Sequence, residues 1–538
     1  MQGASAFSTP CQGGPLWSRL PIYVPERVER RFTQGKFACL PQDRDASAVR
    51  GSVRAEGGSR EGKGSGIPNH AGERGRNRRG KEQGEQRSRP ISPTTRCYMK
   101  LLSKAGARRN WEEARDILLG ALARDDADYI VNVYVYTSAV NVAAKCGKWK
   151  QALGIMSMMR EHGVPPNVVT YNSAIAACAY AGHWKQAIDL LRAMQAEGIA
   201  PDAVSYSSAI KACDKGEHWE QALDLFREMQ GGGAVIPDCV NYNSAITACG
   251  NAGQWEQAIR LLREMRAEGV PPDVVSYSLV IKACDRGGQW EQAMDLLSEM
   301  HREGITPDVV SYSSAMMACR NSGQWQHAIL VLKNMQAEGV IPDVDIYNSA
   351  ITACGDGKEW QQAVGILTKM QGKGVAPDTI SYNSAITACG NGGQWRQAMI
   401  LLKQMRREGA TPNVISYNSA ITACGGSGKW EQAMNILREM QREGVTPDVV
   451  SYNSAVAACA DSSQWERALK LFREMQGEGI TPDVRSYSAL IAAYRTGGQG
   501  EQGVRILREM RKEGIKPNAV TYNAVIFALR HTTNSSKK

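Results

Sequence analysis

The sequence lacks the marks of several common protein classes. No run of about 18 apolar residues occurs, so no membrane-spanning helix is predicted. The chain contains neither a CxxC nor an HExxH motif, which are typical spacings of redox and zinc sites. His218 and His301 each precede a glutamate by two residues, but the PCxxC that completes a zinc deaminase site is missing. We therefore expect neither an enzyme nor a bound metal or cofactor.

Most of the chain also has almost no net charge. The formal net charge is +10, but residues 1–94 carry 17 Lys and Arg against 9 Asp and Glu, and the remainder carries 47 against 45. The first segment is rich in Gly, Arg and Ser and has little apolar periodicity, so it is predicted to be a disordered basic tail. Its first 25 residues contain no acid, which fits an organelle transit peptide as well as a plain disordered tail.

The spacing of the cysteines argues against a disulfide framework and against a zinc site. Nine of the 14 cysteines recur once per 35 or 36 residues, always in the same apolar register. Such regular spacing favours single buried thiols in a repeated core, and this many unpaired thiols is typical of a reducing compartment. The nine are Cys178, Cys213, Cys249, Cys284, Cys319, Cys354, Cys389, Cys424 and Cys459.

What the sequence does contain is a long internal repeat. Eleven consecutive units tile residues 133–518, ten of them 35 residues long and one, 203–238, of 36. The nonapeptide YNSAITACG alone occurs four times. A degenerate helical unit over 95–132 precedes the array, and a partial unit with a tail, 519–538, follows it.

Each unit carries two helical patterns, as the unit 414–448 illustrates. Apolar residues recur at helical spacing in two stripes, which predict a helix A and a helix B. Glycines at 425, 426 and 428 are expected to end helix A, and Asp448 stands where the next helix needs an N-cap. One such hairpin is too small to bury its apolar faces, so stacked copies are predicted to form an all-α solenoid, a right-handed superhelix. The stripes are Tyr417, Ala420, Ile421 and Cys424, then Trp430, Ala433, Met434, Leu437 and Met440.

This unit resembles the pentatricopeptide repeat family, in its P-class form. The resemblance rests on the 35-residue length, on Tyr417, Ala420, Gly444 and Pro447 in fixed places, and on Asp or Asn at the end of the unit. It covers residues 133–518 and implies a sequence-specific single-stranded RNA-binding protein that reads one base per repeat. In that family helix A lines the inner surface, the fifth and last residues of a unit read the base, and the second residue packs against it.

The chemistry of the base edges agrees with the implied roles. An Asp in last place can only accept, which suits the ring N–H of G or U, whereas an Asn also donates and suits A or C. A short Ser or Thr in fifth place leaves room for a purine, and a longer Asn reaches a pyrimidine. In order, the fifth and last residues are Thr137/Asn167, Asn172/Asp202, Ser207/Asp238, Asn243/Asp273, Ser278/Asp308, Ser313/Asp343, Asn348/Asp378, Asn383/Asn413, Asn418/Asp448, Asn453/Asp483 and Ser488/Asn518. By the family's rule these pairs spell AUGUGGUCUUA.

The resemblance also implies residues for base packing and for phosphate contact. Tyr134, Asp345 and Arg485 depart from the second-place pattern, and the charge of Asp345 predicts weak binding of the seventh base. The thirteenth place, where many family members have a phosphate-contacting Lys, is basic only toward the N-terminal half. The packing residues are Val169, Val204, Val240, Val275, Val310, Ile380, Ile415 and Val450, and the phosphate residues are Lys145, Lys215 and Arg286, reinforced by Lys211 and Lys282.

Two other functions remain open at this point. The array is also compatible with a protein-binding scaffold, or with a tether that brings RNA to a separate RNA-processing enzyme. Restriction of the fifth residue to Asn, Ser or Thr in all eleven full units favours RNA, because a peptide groove does not require it. The resemblance implies a chloroplast or mitochondrial protein, with the cytoplasm as the alternative. We expect a monomer, without a membrane partner, that stabilises, processes or promotes translation of a transcript by occupancy.

Overall fold

The fold is a succession of short helices. The computed structural model describes residues 92–124, 127–233 and 235–535. The predicted basic tail lies outside the described residues except at its end, where Ser92 caps a helix that begins at Pro93. The helices are α1 (Pro93–Ala107), α2 (Trp111–Leu122), α3 (Ala127–Ile130), α4 (Val133–Lys145), α5 (Trp149–Glu161), α6 (Val168–Tyr180), α7 (Trp184–Ala196), α8 (Ala203–Lys215), α9 (Trp219–Gly231), α10 (Cys239–Asn251), α11 (Trp255–Ala267), α12 (Val274–Arg286), α13 (Trp290–Arg302), α14 (Val309–Asn321), α15 (Trp325–Ala337), α16 (Val344–Asp356), α17 (Trp360–Gly372), α18 (Thr379–Asn391), α19 (Trp395–Arg407), α20 (Val414–Gly426), α21 (Trp430–Arg442), α22 (Val449–Asp461), α23 (Trp465–Gly477), α24 (Val484–Thr496), α25 (Gly500–Lys512) and α26 (Ala519–Ser535).

The described residues divide into two compact units: those up to residue 142 together with 150–166, and 143–149 together with those from residue 167 onward. In the described part of the first, α1 and α2 form a hairpin whose core includes Leu102 and Leu118. The predicted degenerate helical unit falls on this hairpin. The second contains ten of the eleven full repeat units, α6 to α25, followed by α26.

In the second compact unit, the even-numbered helices are the A helices and the odd-numbered helices are the B helices. Successive A helices pack on one another, and each B helix packs on its own A helix and on the next one. Stacking in chain order therefore produces the α-solenoid that the repeat predicts. The A helices form a continuous row, because each packs on the A helix before it and on the one after it.

The buried core largely follows the predicted stripes. In α20 all four predicted residues are buried, and in α21 Ala433, Leu437 and Met440 are buried. Met434 and Trp430 are only half-buried, and Ile436 is buried in their stead. The reason for the half-buried tryptophan is visible in other units, where this residue extends onto the turn of the next unit. At Gly216 an added Cβ would lie 2.6 Å from the Trp184 ring.

The glycines after helix A do not all have the expected role. Helix α20 continues through Gly426, and of the three glycines only Gly428 occupies the left-handed turn, with φ 67°. Gly425 lies inside the helix, where a Cβ would stand 3.0 Å from the Cβ of Ala458 in the next A helix. The prediction that Gly425 breaks the helix is therefore wrong, because its missing side chain instead allows neighbouring A helices to pack closely.

The recurrent cysteines are core residues. All nine are buried, and none of the nine forms a disulfide. Burial raises the pKa of Cys213 to about 12, so this thiol is protonated and unreactive at neutral pH. Within the same ranges, no group of His, Cys, Asp or Glu has an arrangement suited to hold a metal ion. Nor is any helix there both long and apolar enough to span a bilayer.

The tyrosine at the fourth position connects the two rows of helices. Tyr452 is buried, and its hydroxyl donates to Glu474 at 3.2 Å. Glu474 in turn pairs with Arg438 of the preceding B helix, and the same arginine–glutamate bridge links Arg473 to Glu509 at 2.7 Å. Partly exposed pairs contribute only about 0–1 kcal/mol each, so the stacking depends mainly on the buried apolar contacts.

Candidate nucleic-acid interface

One surface collects the variable residues of every unit. We call the exposed side of the A helices the A face. Between α16, α18 and α20 it contains a depression of about 280 Å³. Ile380, Asn383, Thr387 and Asn391, which are the second, fifth, ninth and thirteenth residues of one unit, line this depression together with Ile415 of the next unit. These positions therefore share one groove.

The second residues form an exposed apolar row along the A face. The eight Val and Ile side chains of the predicted packing set are between 51% and 60% exposed. Tyr134 in the first compact unit is 46% exposed, and Asp345 and Arg485 are exposed as well. A regular row of exposed apolar side chains on a folded protein is typical of an interaction surface.

The last residue of each unit caps the A helix that follows. Asp448 accepts a hydrogen bond from the backbone N–H of Ser451 at 2.8 Å and from its hydroxyl at 2.9 Å. Asp343 caps α16 in the same way but lacks the reciprocal bond, because Ile346 has no hydroxyl. The N-cap prediction is confirmed. Side-chain caps of this kind are formed by Asn167, Asp202, Asp238, Asp273, Asp308, Asp343, Asp378, Asn413, Asp448, Asp483 and Asn518.

The fifth and last residues of a unit meet on the A face, although 30 residues separate them. The Nδ2 of Asn453 donates to Oδ1 of Asp483 at 3.1 Å. In the fourth unit, Asn243 donates to the sulfur of Cys239 at 3.4 Å, and its amide also lowers the pKa of Asp273. The other amide pairs are Asn172–Asp202 at 2.9 Å, Asn348–Asp378 at 3.2 Å, Asn383–Asn413 at 3.3 Å and Asn418–Asp448 at 3.2 Å.

A serine in fifth place adopts a different geometry. Ser278 donates to the backbone carbonyl of Val274 at 2.7 Å and approaches Asp308 only to 3.5 Å. Ser488 likewise turns back to Val484 at 2.7 Å. The short side chain folds onto its own helix, whereas an asparagine spans the gap to the last residue. The two residue types therefore leave different amounts of space beside the carboxylate.

Four residues of the predicted base-reading set remain: Thr137 and Asn167 of the first unit, Ser207 and Ser313. Thr137 is half-buried on α4, in the first compact unit. Asn167 is the exposed cap of α6, in the second compact unit. Ser313 is half-buried on α14, and Ser207 is buried and donates to the carbonyl of Val204 at 3.2 Å.

A third residue takes part that the sequence analysis missed. The hydroxyls of Ser205, Ser381 and Ser416, each the third residue of a unit, donate to Oδ1 of an asparagine in the unit before. The distances are 2.5 Å to Asn172, 2.6 Å to Asn348 and 2.6 Å to Asn383. Each bond fixes the orientation of the amide, so that its NH₂ group points toward the last residue. The signal was present in the sequence as a Ser or Thr that recurs three residues after the capping Asp or Asn.

Five of the capping carboxylates have a lowered pKa, which favours their ionised form. Burial raises the pKa of Asp448, but hydrogen bonds from the backbone and hydroxyl of Ser451 and from the Asn418 amide outweigh it, so the net pKa lies below its usual value. All three bonds end on Oδ1, and Oδ2 takes part in none of them. The pKa is lowered in the same direction at Asp202, Asp273, Asp378 and Asp483. At neutral pH these groups are acceptors only.

The predicted phosphate residues lie at the C-terminal ends of the A helices. Lys145, Lys215 and Arg286 are all exposed. The Lys215 ammonium lies 5.6 Å from the centroid of the Tyr180 ring, and Arg286 donates to Asn251. Tyr180 and Asn251 are the thirteenth residues of the preceding units, so this position also connects adjacent units along the A face.

Together the fold and the A face define a class: an α-solenoid of 35-residue hairpins with one polar pair per hairpin between exposed apolar side chains. Models of the pentatricopeptide repeat match most of the array, and the chain belongs to the pentatricopeptide repeat family. The matches are to the pentatricopeptide repeat domain at 295–357, 365–427 and 470–530, to the PPR repeat family at 131–180, 166–215, 237–286 and 412–461, and to the PPR repeat at 204–233, 275–305, 345–375 and 450–480.

Solved structures with a similar fold include pentatricopeptide repeat proteins. The crystal structure of PPR10 from maize is 21% identical over 82% of each chain, with a TM-score of 0.42. PPR10 in complex with an 18-nt psaJ RNA element is 22% identical over 82% of this chain and 84% of that one, with a TM-score of 0.38. Yeast Rmd9p in complex with a 16-nt target RNA is 9% identical over 79% of this chain and 97% of that one, with a TM-score of 0.34. A search of curated proteins finds no match.

Proposed function

We propose that this protein binds single-stranded RNA sequence-specifically and reads one base with each repeat. The observation that carries the proposal is the meeting of the fifth and last side chains of a unit, such as Asn453 and Asp483 at 3.1 Å. This polar pair lies beside exposed apolar residues such as Val450, which is 52% exposed. A base is a flat apolar ring with a polar edge, and it matches both features at once.

In this arrangement each base lies between the second-place side chains of neighbouring units, with its Watson–Crick edge toward the polar pair. Covering a half-exposed Val or Ile contributes about 1 kcal/mol, so affinity accumulates over several units. The Oδ2 atom of a last-place Asp, as at Asp448, accepts the ring N–H of G or U. The Asn in fifth place directs one amide hydrogen to the carboxylate and offers its second hydrogen to a pyrimidine.

The proposed site is AUGUGGUCUUA, with the N-terminus of the protein at the 5′ end of the RNA. The pair Asn383 and Asn413 assigns C to the eighth base, because two amides offer both donors and acceptors. The protein acts by occupancy as a monomer: eleven covered bases are withheld from nucleases and from competing RNA structure. Its place of action is an organelle, where it stabilises, processes or promotes translation of a transcript.

Selection from a random RNA pool at a stated salt of about 0.15 M tests the proposal directly. We expect enrichment of sequences related to AUGUGGUCUUA, and enrichment of unrelated sequences would refute the base assignments. A variant with Ile380, Ile415 and Val450 all changed to Asp should lose binding, because it removes the apolar row and repels phosphate. The matched control changes Arg192 and Arg227 to Gln on the B helices and should bind normally. Equal binding by both variants would exclude the A face as the RNA surface.

A further inference from the structure

Two units combine a serine in fifth place with a lysine in ninth place of the same helix. In the third and fifth units, Ser207 and Ser278 are followed one turn later by Lys211 and Lys282. In the six full units with Asn in fifth place, the ninth residue is Ala or Thr instead. Residues four apart lie on the same side of a helix, so the serine and the lysine of each unit are neighbours on the A face.

The ninth position lies in the same groove as the fifth. Thr352 and Thr387, both ninth residues, line the depression that also contains Asn383. Since all A helices share one register, Lys211 and Lys282 hold the equivalent place in their own units, and both are exposed. A lysine there reaches the space that the short serine leaves open.

The acids on the same helices are engaged with the next unit. Asn251 donates to Asp214 at 2.6 Å, and Asn321 donates to Asp285 at 2.9 Å. Each acid follows its lysine by three residues and already has an amide partner from the neighbouring helix. Both acids therefore bond across to the adjacent unit, and Asp285 attracts Lys282 through its charge. The ammonium groups, which are exposed, remain available to a ligand on the A face.

The chemistry of an ammonium distinguishes the two purines. Lysine has three donors and no acceptor. Guanine presents two acceptors, O6 and N7, on one side of its ring, whereas adenine presents the N6 amino donor beside N7. A lysine next to a serine that admits a purine therefore favours guanine and disfavours adenine. This selection adds to the one made by the last-place Asp on the Watson–Crick edge.

We propose that Lys211 and Lys282 are specificity residues that select guanine over adenine at the third and fifth bases, an inference that rests on the proposed RNA-binding function. The chain contains two internal comparisons. The sixth unit also predicts guanine, from Ser313 and Asp343, but its ninth residue is Met317. The eleventh unit predicts adenine, and its ninth residue is Ala492. The one unit that has Ser in fifth place and predicts adenine, the eleventh, therefore has no lysine in ninth place.

The test measures dissociation constants by fluorescence anisotropy for AUGUGGUCUUA and for three RNAs in which the guanine at base three, five or six is replaced by adenine. Lys282→Met should lower the guanine-over-adenine ratio at base five by about five- to tenfold, the lower part of the range for a specific base contact. The ratios at bases three and six should not change. Met317→Lys should raise the ratio at base six by a similar factor. Methionine and lysine have similar length and helix propensity, and circular dichroism verifies that each variant is folded.

A phosphate contact would give a different result. In that case Lys282→Met weakens binding to all four RNAs alike, lowers the slope of log K against log salt by about one, and leaves the ratio at base five unchanged. An unchanged ratio overturns the proposal and leaves the RNA-binding function intact. Lys211→Met at base three is an independent second variant. If the unmodified protein binds none of the four RNAs, both proposals fail.

Discussion

The change Ser278→Asn should convert the fifth unit from a guanine unit to a uracil unit. The seventh unit is the structural template, since Asn348 donates to Asp378 at 3.2 Å and accepts from Ser381 at 2.6 Å. The fifth unit has the same two partner positions, because Ser278 lies 3.5 Å from Asp308 and 2.7 Å from Ser311. An asparagine at 278 therefore finds both partners already in place.

The expected changes in stability and in base preference follow from the hydrogen bonds that the substitution removes and adds. The variant loses the hydrogen bonds of the Ser278 hydroxyl with Val274 and with Ser311, both at 2.7 Å. The asparagine amide replaces them with one bond to Asp308 and one from Ser311. Ser and Asn have similar helix propensities, so stability should change by less than about 0.5 kcal/mol. For binding, one base contact discriminates by about 1–3 kcal/mol. We expect the uracil-over-guanine ratio at base five to rise by about 2 kcal/mol, roughly thirtyfold.

The assay compares Kd values for RNAs that differ only at base five, at constant salt. Two matched variants complete the design. Asn418→Ser should move the ninth base from uracil toward guanine, and Ser298→Asn, the same change on the exposed side of α13, should have no effect. An unchanged preference in folded Ser278→Asn protein, or an equal change at all bases, would refute the assignment of the fifth residue.

Three further predictions concern the scaffold. Lys358 occupies the left-handed region with φ 61°, so Lys358→Gly should stabilise the fold by about 1 kcal/mol, and an unchanged Tm would show that no strain is present. Gly250→Ala should lower the Tm, because a Cβ there would lie 2.9 Å from that of Ala283. Gly426→Ala, at the last residue of α20 and with open space around it, should not lower the Tm, because alanine favours a helix more than glycine does. A fall in Tm in both variants would exclude close packing as the cause. The pKa of Asp448 lies below its usual 3.8 in the folded chain, so its ionised form stabilises the fold above that pH, and this stability is lost as the pH falls through the lowered pKa. Urea unfolding at several acidic pH values should therefore show a free energy of unfolding that depends less on pH in Asp448→Asn than in the unmodified protein. Identical pH profiles of the two proteins would contradict the reasoning.

Much of the scaffold follows from local patterns. The repeat period, the apolar stripe of α20 and the cap at Asp448 depend on residues within a few turns of one another, so spacing and cap chemistry predict them. Gly425 was misassigned because a helix-breaking glycine and a helix-packing glycine look alike in one unit. Only the adjacent helix, with Ala458 in the way of a Cβ at 3.0 Å, separates the two cases.

The residues of the candidate site could be predicted from the sequence, but the hydrogen bonds that join them could not. Periodicity and the resemblance to a known family single out Asn348 and Asp378 as members of one unit. The hydroxyl of Ser381 was not assigned, because its bond to Asn348 joins residues 33 positions apart and exists only after two units have stacked. The same is true of the orientation of the amide, which the bond determines.

The sequence by itself determined the unit: two helices, their buried faces, the caps and the residue types that vary from one copy to the next. These features depend on chemistry within one hairpin, so they can be predicted from the order of the residues alone. The tertiary structure alone decided that the fifth and last residues of a unit converge, and that Val and Ile side chains stand exposed on both sides of them. The physical reason is that the last residue belongs to the next helix as its cap, so stacking brings the two ends of one repeat together.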